Sequence, residues 1–284
     1  MISWFKPRLP RSAIKTLLLF RRYALYSLEP LDYSARIING KRDFPPLHLR
    51  KHVGPLRSFE ASGAEFTAYL KLIADLQPHE NMLDIGCGCG LLALYLRDYL
   101  DSGSYTGLDI HKPSIAWCQN HISSKYPNFR FIHSNIKSPE YNPQGAHTAD
   151  ELTFPLEDHT ADVILLKSVF THMRPPGVAN YIKEISRLLT DGGRCLATFF
   201  LLNEEQLNLA SQGRSQLSFE FGDETWRYEY KHSPERVVGY TEDYILRLLE
   251  KHGLRLKGLF YGGWSGRKNY LSHQDLLMVE KALG

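Results

Sequence analysis

The sequence predicts an α/β fold with a doubly wound sheet. Residues 83–91 have the pattern of a buried strand, a glycine turn and the start of a helix. From there to residue 280, apolar strand segments alternate with segments of helical periodicity, which is typical of layered α/β domains. A chain of 284 residues has room for one such domain and an extension.

The extension is predicted over residues 1–59. Six lysine and arginine residues and no acid precede Glu29. Ser12 can cap a helix that runs to about Ser27, and its mixture of apolar, aromatic and basic residues fits contact with an anionic membrane surface. Packing of this helix against its own domain or a partner is the alternative. Residues 29–60 contain several prolines and are predicted to form an irregular connector.

The domain is predicted over residues 60–284. Periodicity and breaker residues predict helices at 63–76, 91–100, 113–124, 176–189 and 241–252, and strands at 82–85, 105–109, 129–133, 162–166, 194–202, 254–261 and 275–280. Residues 137–158 are predicted to be a functional loop. An insertion rich in aromatic residues is expected at 203–239, with a hairpin around Gly222 and Asp223.

The glycine turn points to a particular ligand. Gly86, Gly88 and Gly90 form G-x-G-x-G, and Leu91 departs from the G-x-G-x-x-G spacing of dinucleotide-binding loops. Asp84, just before the turn, would repel a pyrophosphate and suits a ligand with an ammonium group. Asp109 ends the next strand and is placed to receive the two hydroxyls of a ribose. These features favour S-adenosylmethionine.

Three segments carry a family resemblance: residues 84–90, Asp109, and residues 168–172 (Ser-Val-Phe-Thr-His) after the fourth strand. Together they resemble class I S-adenosylmethionine-dependent methyltransferases over roughly residues 60–280. The resemblance implies a Rossmann-like, seven-stranded, mostly parallel sheet with one antiparallel strand. The cofactor would then lie at the carboxyl ends of the first strands.

The predicted cofactor-binding residues follow from the glycine turn and the resemblance. They are Asp84, Gly86, Cys87, Gly88, Gly90, Asp109, Ile110, Asn135, Ile136, Lys167 and Ser168. Asn135 departs from the acid that the family often has at this place, although its amide oxygen can still accept the adenine amino group. Ile110 and Ile136 could pack on the adenine or belong to the core. Lys167 and Ser168 are expected beside the methionine part of the cofactor.

The acceptor is expected where three segments leave the carboxyl end of the sheet, at residues 168–176, 203–239 and 262–274. Tyr228, Trp264 and Arg267 are the substrate-binding candidates in these segments. His172 is the candidate catalytic base, because an acceptor hydroxyl must lose a proton and an ordinary histidine can take it near neutral pH. The alternative is that His172 holds a neighbouring loop in place.

The activity predicted is O-methylation of a small-molecule, sugar or lipid-linked acceptor. Residues 168–172 do not resemble the Asn/Asp-Pro-Pro-Tyr/Phe motif of enzymes that methylate nucleobase or amide nitrogen, and they resemble methyltransferases of glycan and lipid-precursor pathways. Two alternatives stay open: a protein that binds S-adenosylmethionine without catalysis, and a nicotinamide-dependent oxidoreductase. Asp84 and the glycine spacing count against the second alternative.

Composition excludes several other classes. The net charge is +3, and without the six basic residues before Glu29 it is about −3, so a nucleic-acid-binding surface is not indicated. Four cysteines, two of them in the glycine turn, favour a reducing, cytoplasmic setting, with membrane association through residues 1–28 as an option. No second Cys or His pair at zinc-finger-like spacing follows Cys87 and Cys89, so no metal is expected. The longest apolar run near the start, residues 17–20, is too short for a membrane span.

Overall fold

The computed structural model describes residues 25–282, which fall into two compact units divided after Ala61. The predicted division at residue 59 lies two residues earlier. The predicted helix over residues 12–27 lies almost entirely outside the described residues.

The first unit contains two helices, α1 (Glu29–Ile38) and α2 (Leu47–Arg50), and a 3-10 turn at Leu56–Ser58. The prediction of an irregular connector over residues 29–60 was therefore wrong. Pro30 stands in the first turn of α1 and Pro46 is the N-cap of α2, where a missing N–H costs no helical hydrogen bond. The prolines begin these helices instead of breaking them.

The second unit is built on a seven-stranded sheet, and α3 (Phe59–Leu72) runs into it from the first unit. Its strands are β1 (Asn81–Ile85), β2 (Ser104–Asp109), β3 (Phe129–His133), β4 (Ala161–Leu166), β5 (Leu189–Phe199), β10 (Leu254–Phe260) and β11 (Asp275–Lys281). The strand order is β10-β11-β5-β4-β1-β2-β3, and β11 runs antiparallel to both of its neighbours. The predicted mostly parallel sheet with one antiparallel strand is confirmed.

Helices connect the parallel strands and cover the sheet. They are α4 (Leu91–Leu96), α5 (Lys112–Cys118), α6 (Pro175–Leu188), α7 (Glu204–Ser211) and α8 (Glu242–Lys251). The apolar faces of α6 and α8 pack with β4 and β5 in one continuous core that includes Ile164, Ile182 and Leu249. The chain order reverses between β1 and β4, which leaves a crevice at their carboxyl ends where α/β sheets bind ligands.

The segment after β5 forms a second, small sheet. Its strands are β6 (Leu201–Leu202), β7 (Phe221–Gly222), β8 (Trp226–Tyr228) and β9 (Val238–Thr241), in the order β6-β9-β8-β7. The antiparallel pair β7 and β8 forms the hairpin that the sequence predicted around Gly222.

The start of β5 differs from the prediction. The strand was expected to begin at residue 194, yet α6 passes directly into β5 at Leu189. Leu189 pairs with Ala161 of β4, and the register shifts before Arg194 pairs with Val163. Gly192 and Gly193 therefore lie within an irregular stretch of β5, where Gly192 has a φ of 73°.

Candidate active site

The glycine turn links β1 to α4 in an unusual backbone conformation. Gly86, Gly88 and Gly90 have φ values of 84°, 56° and 76°, which favour glycine. The N–H groups of Gly86 and Cys87 both donate to the carbonyl oxygen of Leu108, at 2.7 and 3.0 Å. A Cβ atom at Gly86 would lie 2.5 Å from Val169 Cγ2. The turn is thus held against β2, and its three glycines add no side chains of their own.

Asp109 lies at the end of β2, directly beside this turn. One carboxylate oxygen accepts the N–H of Gly88 at 2.8 Å, and the other accepts the N–H of His111 at 2.6 Å. Burial raises the pKa of Asp109, and these two N–H groups act in the opposite direction. Each oxygen keeps a second lone pair, so the carboxylate can also receive the two hydroxyls of a ribose.

Asp84 and Cys87 have side chains that are turned into the protein. Asp84 is 2% exposed, and its Oδ2 accepts the Tyr105 hydroxyl at 2.5 Å. Burial raises the pKa of Asp84 to about 7, while the Tyr105 hydrogen bond and the Lys167 charge lower it. The Cys87 thiol is buried near Gly107, where an added Cβ would lie 2.8 Å from its sulfur. In this conformation neither side chain is exposed to a ligand.

The side of the crevice that was predicted to face adenine is formed after β2 and β3. Ile110 is half-buried and packs against the main core, and Ile136 is buried in that core. The Asn135 side chain is exposed, while its backbone carbonyl accepts N–H groups from Ala146 and His147. The loop at residues 137–158 is therefore anchored at the position predicted to contact adenine.

Lys167 and Ser168 follow β4 in the crevice. The Lys167 ammonium lies 5.0 Å from the centre of the Phe66 ring, and burial lowers its pKa, opposed by the charges of Asp84 and Glu65. Ser168 has a φ of 56°, which is rare for a residue with a side chain. Its N–H donates to Thr198 Oγ1 at 2.7 Å, and its hydroxyl lies 3.0 Å from Gln274 Oε1. Contacts from β5 and from the segment before β11 hold this strained residue.

His172 lies in a 3-10 turn, Phe170–His172, a few residues after β4. Its Nδ1 lies 3.2 Å from the backbone oxygen of Glu235, which can only accept, so we assign the ring proton to Nδ1. Nε2 then carries a lone pair and lies 3.4 Å from the Tyr141 hydroxyl. Burial lowers the pKa of His172, which keeps the ring neutral near pH 7. The arrangement presents a proton acceptor beside the loop that contains Tyr141.

The three predicted substrate-binding residues are placed differently from one another. Trp264 is fully buried and donates its indole N–H to Asp275 Oδ2 at 2.9 Å. The Arg267 side chain is 7% exposed, pairs with Glu205 at 2.9 Å and lies 4.1 Å from the Tyr261 ring centre. Both are thus engaged in internal contacts. Tyr228 is half-buried in the small sheet, where it stacks on an aromatic neighbour.

Several residues of the site were not singled out from the sequence. Thr198 and Gln274 hold Ser168. Buried Asp275 accepts the N–H groups of Leu201 and Gly262, both at 2.6 Å. No local pattern marks these residues, because their roles depend on which strands become neighbours. Tyr141 lies in a loop predicted to be functional, and its aromatic character was the available signal.

Metal ligation and membrane spanning find no support in the part of the chain that the structure describes. Within residues 25–282, no three or more histidine, cysteine or acidic residues are grouped so that they could hold a metal ion. The helices of this same part are all too short or too polar to cross a bilayer. All four cysteines are buried, and none forms a disulfide.

Comparison with known proteins identifies the domain around this crevice. Residues 83–197, which contain the glycine turn, Asp109 and His172, match the family described as methyltransferase domain. This domain is a class I S-adenosylmethionine-dependent methyltransferase. The cofactor of the methyltransferase domain is S-adenosylmethionine, and the nicotinamide alternative is set aside. The Asp109 carboxylate and the three glycines of the turn, all with positive φ, fit a nucleoside ligand.

Similar proteins agree with this assignment. The chain is 29% identical over 143 residues to phthiotriol/phenolphthiotriol dimycocerosates methyltransferase 1 of Mycobacterium ulcerans, covering 49% of this chain and 46% of that protein. It is 23% identical over 237 residues to a ubiquinone biosynthesis O-methyltransferase of Sodalis glossinidius, covering 81% and 82% respectively. The match thus spans less than half of the first relative and most of the second.

A solved structure shares the fold. A SAM-dependent methyltransferase from Aquifex aeolicus superposes with a TM-score of 0.51 at 15% sequence identity, over 84% of this chain and 98% of the other. At this sequence identity the similarity supports the fold of the domain alone and carries no information about its substrate.

Proposed function

We propose that this methyltransferase acts on a hydroxyl oxygen of a small-molecule, sugar or lipid-linked acceptor. The observation that carries the proposal is His172: its Nδ1 faces a backbone carbonyl, its Nε2 carries a lone pair beside the Tyr141 hydroxyl, and its pKa is lowered by burial. A neutral imidazole with this tautomer is suited to removing the proton of a hydroxyl group. An amine acceptor would not need such a base.

Different residues of the crevice are proposed to bind different parts of the cofactor. When bound, S-adenosylmethionine supplies a methyl group already activated on a sulfonium, so the protein mainly has to align donor and acceptor. Asp109 would receive the ribose hydroxyls, and Lys167 would pair with the carboxylate of the methionine part. Asn135, Ile110 and Ile136 would border the adenine. Ser168, fixed by Thr198 and Gln274, would shape the space near the methyl group.

His172 would act on the acceptor side of this space. Its Nε2 takes the proton of the acceptor hydroxyl as the oxygen attacks, which leaves the ring positively charged. The hydrogen bond from Nδ1 to the Glu235 carbonyl then strengthens, because the donor has become a cation. The ring is therefore oriented and stabilised in its charged state by the same contact.

The names of the two relatives support hydroxyl chemistry. One is an O-methyltransferase by name, and the other is named for dimycocerosates of phthiotriol and phenolphthiotriol, in which two ester groups leave one hydroxyl of the triol. The six basic residues before Glu29 fit an acceptor carried in an anionic membrane. We further propose a cytoplasmic protein with peripheral membrane contact through residues 1–28 and an acceptor-binding insertion at residues 203–239. Tyr228 is its proposed ring-stacking residue.

The test is transfer of labelled methyl groups from S-adenosylmethionine to two hydroxyl acceptors, a polyprenylated catechol and a glycolipid. Each is compared with an amine analogue of the same lipid. We expect the hydroxyl compounds to be methylated, with a product heavier by one methylene. His172→Gln should lower kcat by about 10²- to 10³-fold, because the base is lost.

The matched control is His121→Gln, which changes an exposed histidine in the π-helical turn that follows α5. It should keep full activity, and both variants should bind S-adenosylhomocysteine with unchanged affinity in calorimetry. Methylation of the amine analogues alone would overturn the choice of oxygen. Equal kcat in His172→Gln and wild type would overturn the assignment of the base.

A further inference from the structure

In helix α1 the charged side chains are mostly buried and large apolar side chains are exposed, which is the reverse of a water-exposed helix. The charged residues between positions 28 and 38 are Glu29, Asp32 and Arg36. All three lie on one side of α1, and their side chains are between 10 and 20% exposed. The side chains on the remaining surface are uncharged. In a helix at a water interface, charged residues usually occupy the exposed face.

The charged side of α1 is satisfied within the first unit. Glu29 accepts the N–H groups of Leu47 and His48 at the start of α2, at 3.2 and 2.8 Å, and also contacts the His48 ring. Asp32 pairs with Arg36 at 2.8 Å and with Arg50 of α2. This network fixes α1 on α2 and determines which side of α1 faces away.

The opposite side of α1 is an exposed apolar stripe. Leu31, Ala35 and Ile38 follow the i, i+4, i+7 spacing that places residues on one helix face. Leu31 is 69% exposed and Ile38 is 83% exposed. Leu28 lies one turn before Leu31 on the same side, and its side chain is 47% exposed. We call Leu28, Leu31, Ala35 and Ile38 the α1 stripe.

We propose that the α1 stripe is a membrane-contacting surface that lies in the interface of an anionic bilayer. Two observations favour a lipid surface over a protein partner. The stripe itself carries no charge that could be specific for a protein, and the chain immediately before it carries six positive charges with no acid. Apolar side chains that enter the interface and nearby cations that attract anionic headgroups are the two components of peripheral membrane binding.

This inference extends the proposed membrane contact from residues 1–28 to a helix whose side chains are described. Its test needs no methyl acceptor, so its failure can be told apart from failure of the proposed activity. The full chain would be mixed with vesicles of phosphatidylcholine and phosphatidylglycerol, and with vesicles of phosphatidylcholine alone. Bound protein would be measured by co-sedimentation.

The decisive variant is Leu31→Ser combined with Ile38→Ser, which removes apolar surface without adding charge. We expect it to bind the mixed vesicles at least about tenfold more weakly, since two large side chains no longer enter the interface. The matched control is Leu72→Ser with Leu256→Ser, two exposed leucines outside α1 and outside the proposed acceptor site. It should bind like wild type. Wild-type binding to phosphatidylcholine alone should be much weaker than to the mixed vesicles.

A second measurement is independent of variant stability. Since the four native cysteines are buried, Ile38→Cys can be labelled selectively with a polarity-sensitive dye. Its emission should shift to the blue when mixed vesicles are added, and the same label at Leu72→Cys should not shift. Three results would overturn the proposal: equal vesicle binding by the double variant, no shift at position 38, or a wild-type dimer that the double variant converts to monomers without lipid.

Discussion

The cofactor side and the acceptor side of the crevice differ in how far apart along the chain their contacting residues lie. The bond from Gly88 to Asp109 joins residues 21 positions apart, between adjacent strands. Nearer the proposed acceptor, His172 contacts Glu235 over 63 positions, and Ser168, expected beside the methionine part of the cofactor, contacts Gln274 over 106 positions. The bond between the glycine turn and Asp109 therefore forms within one strand-turn-helix unit and the next strand. The acceptor side requires the small sheet and the last strands to be in place.

This difference explains how one domain can keep its cofactor while its acceptor varies. The insertion and the segment before β11 can change in sequence without touching the bonds between the glycine turn and Asp109. The following variants separate the two sides, beginning with the largest expected effect.

Among these variants, Asp109→Ala should weaken cofactor binding most. The carboxylate bonds to Gly88 and His111 are lost together with the proposed contacts to the ribose. We expect affinity for S-adenosylhomocysteine to fall about 100-fold, equivalent to about 2.7 kcal/mol, by calorimetry. Asp98→Ala, at an exposed acid, is the control and should bind normally. Normal binding by Asp109→Ala would show that the turn holds the nucleoside without this carboxylate.

Gly86→Ala should affect both sides, because the added Cβ would lie 2.5 Å from Val169, just after β4. Left-handed strain and this clash should together lower the free energy of unfolding by about 2 kcal/mol in urea. Gly253→Ala is matched for backbone conformation, with a φ of 70° and no atom within 4 Å of the added Cβ. The free energy of unfolding of Gly253→Ala should fall by about 1 kcal/mol at most. An equal cost in both variants would mean that Val169 moves aside freely.

Asp84→Asn should change how stability depends on pH. Burial raises the pKa of Asp84 from 3.8 to about 7 in the folded protein. Between pH 4 and 7 the folded state therefore binds a proton that the unfolded state does not, so this residue adds stability as the pH falls. In Asp84→Asn the amide oxygen can still accept the Tyr105 hydroxyl, and this contribution disappears.

The measurement is Tm by calorimetry between pH 5 and 8. The Tm of Asp84→Asn should exceed that of wild type most at pH 8, by a few degrees, and this difference should shrink towards pH 5. A constant difference across this range would show that Asp84 does not titrate there. Retained cofactor affinity in the variant would agree with the inward position of the side chain.

Tyr141→Phe should have the smallest effect and should be confined to the acceptor side. It removes a hydroxyl 3.4 Å from His172 Nε2, a long contact worth about 1 kcal/mol or less. We expect kcat to fall about two- to fivefold with unchanged cofactor affinity. A loss as large as that of His172→Gln would place Tyr141 among the groups that act directly on the acceptor.

The sequence predicted the sheet and the cofactor turn well, because both depend on local patterns. Apolar runs, the three glycines and Asp109 are sufficient to place β1, α4 and β2 near one another. The contacts that the sequence did not predict join residues that lie far apart along the chain. Trp264 and Arg267 were expected to face an acceptor, but they bond to Asp275 and Glu205, partners that only the folded chain brings near.

The first unit shows a different reason for failure. Prolines at positions 30 and 46 were taken as breaks, although each stands at a helix start. Glu29 and Asp32 in the first turn and Arg36 in the last turn of α1 were the signals that could have corrected this. The inward position of these charges has no signature in a single sequence, because it depends on pairing with α2.

The placement of β11 has a consequence for the order in which the protein is made. It is the last described strand in the chain, yet it lies between β5 and β10 and bonds to both. The chain contains β5 and β10 before β11, so during synthesis these two strands wait without their shared partner. The sheet is therefore completed only after β11 has been made, whereas β1 to β4 can pair earlier in synthesis. A nascent chain stalled before residue 275 would expose two unpaired strand edges to chaperones.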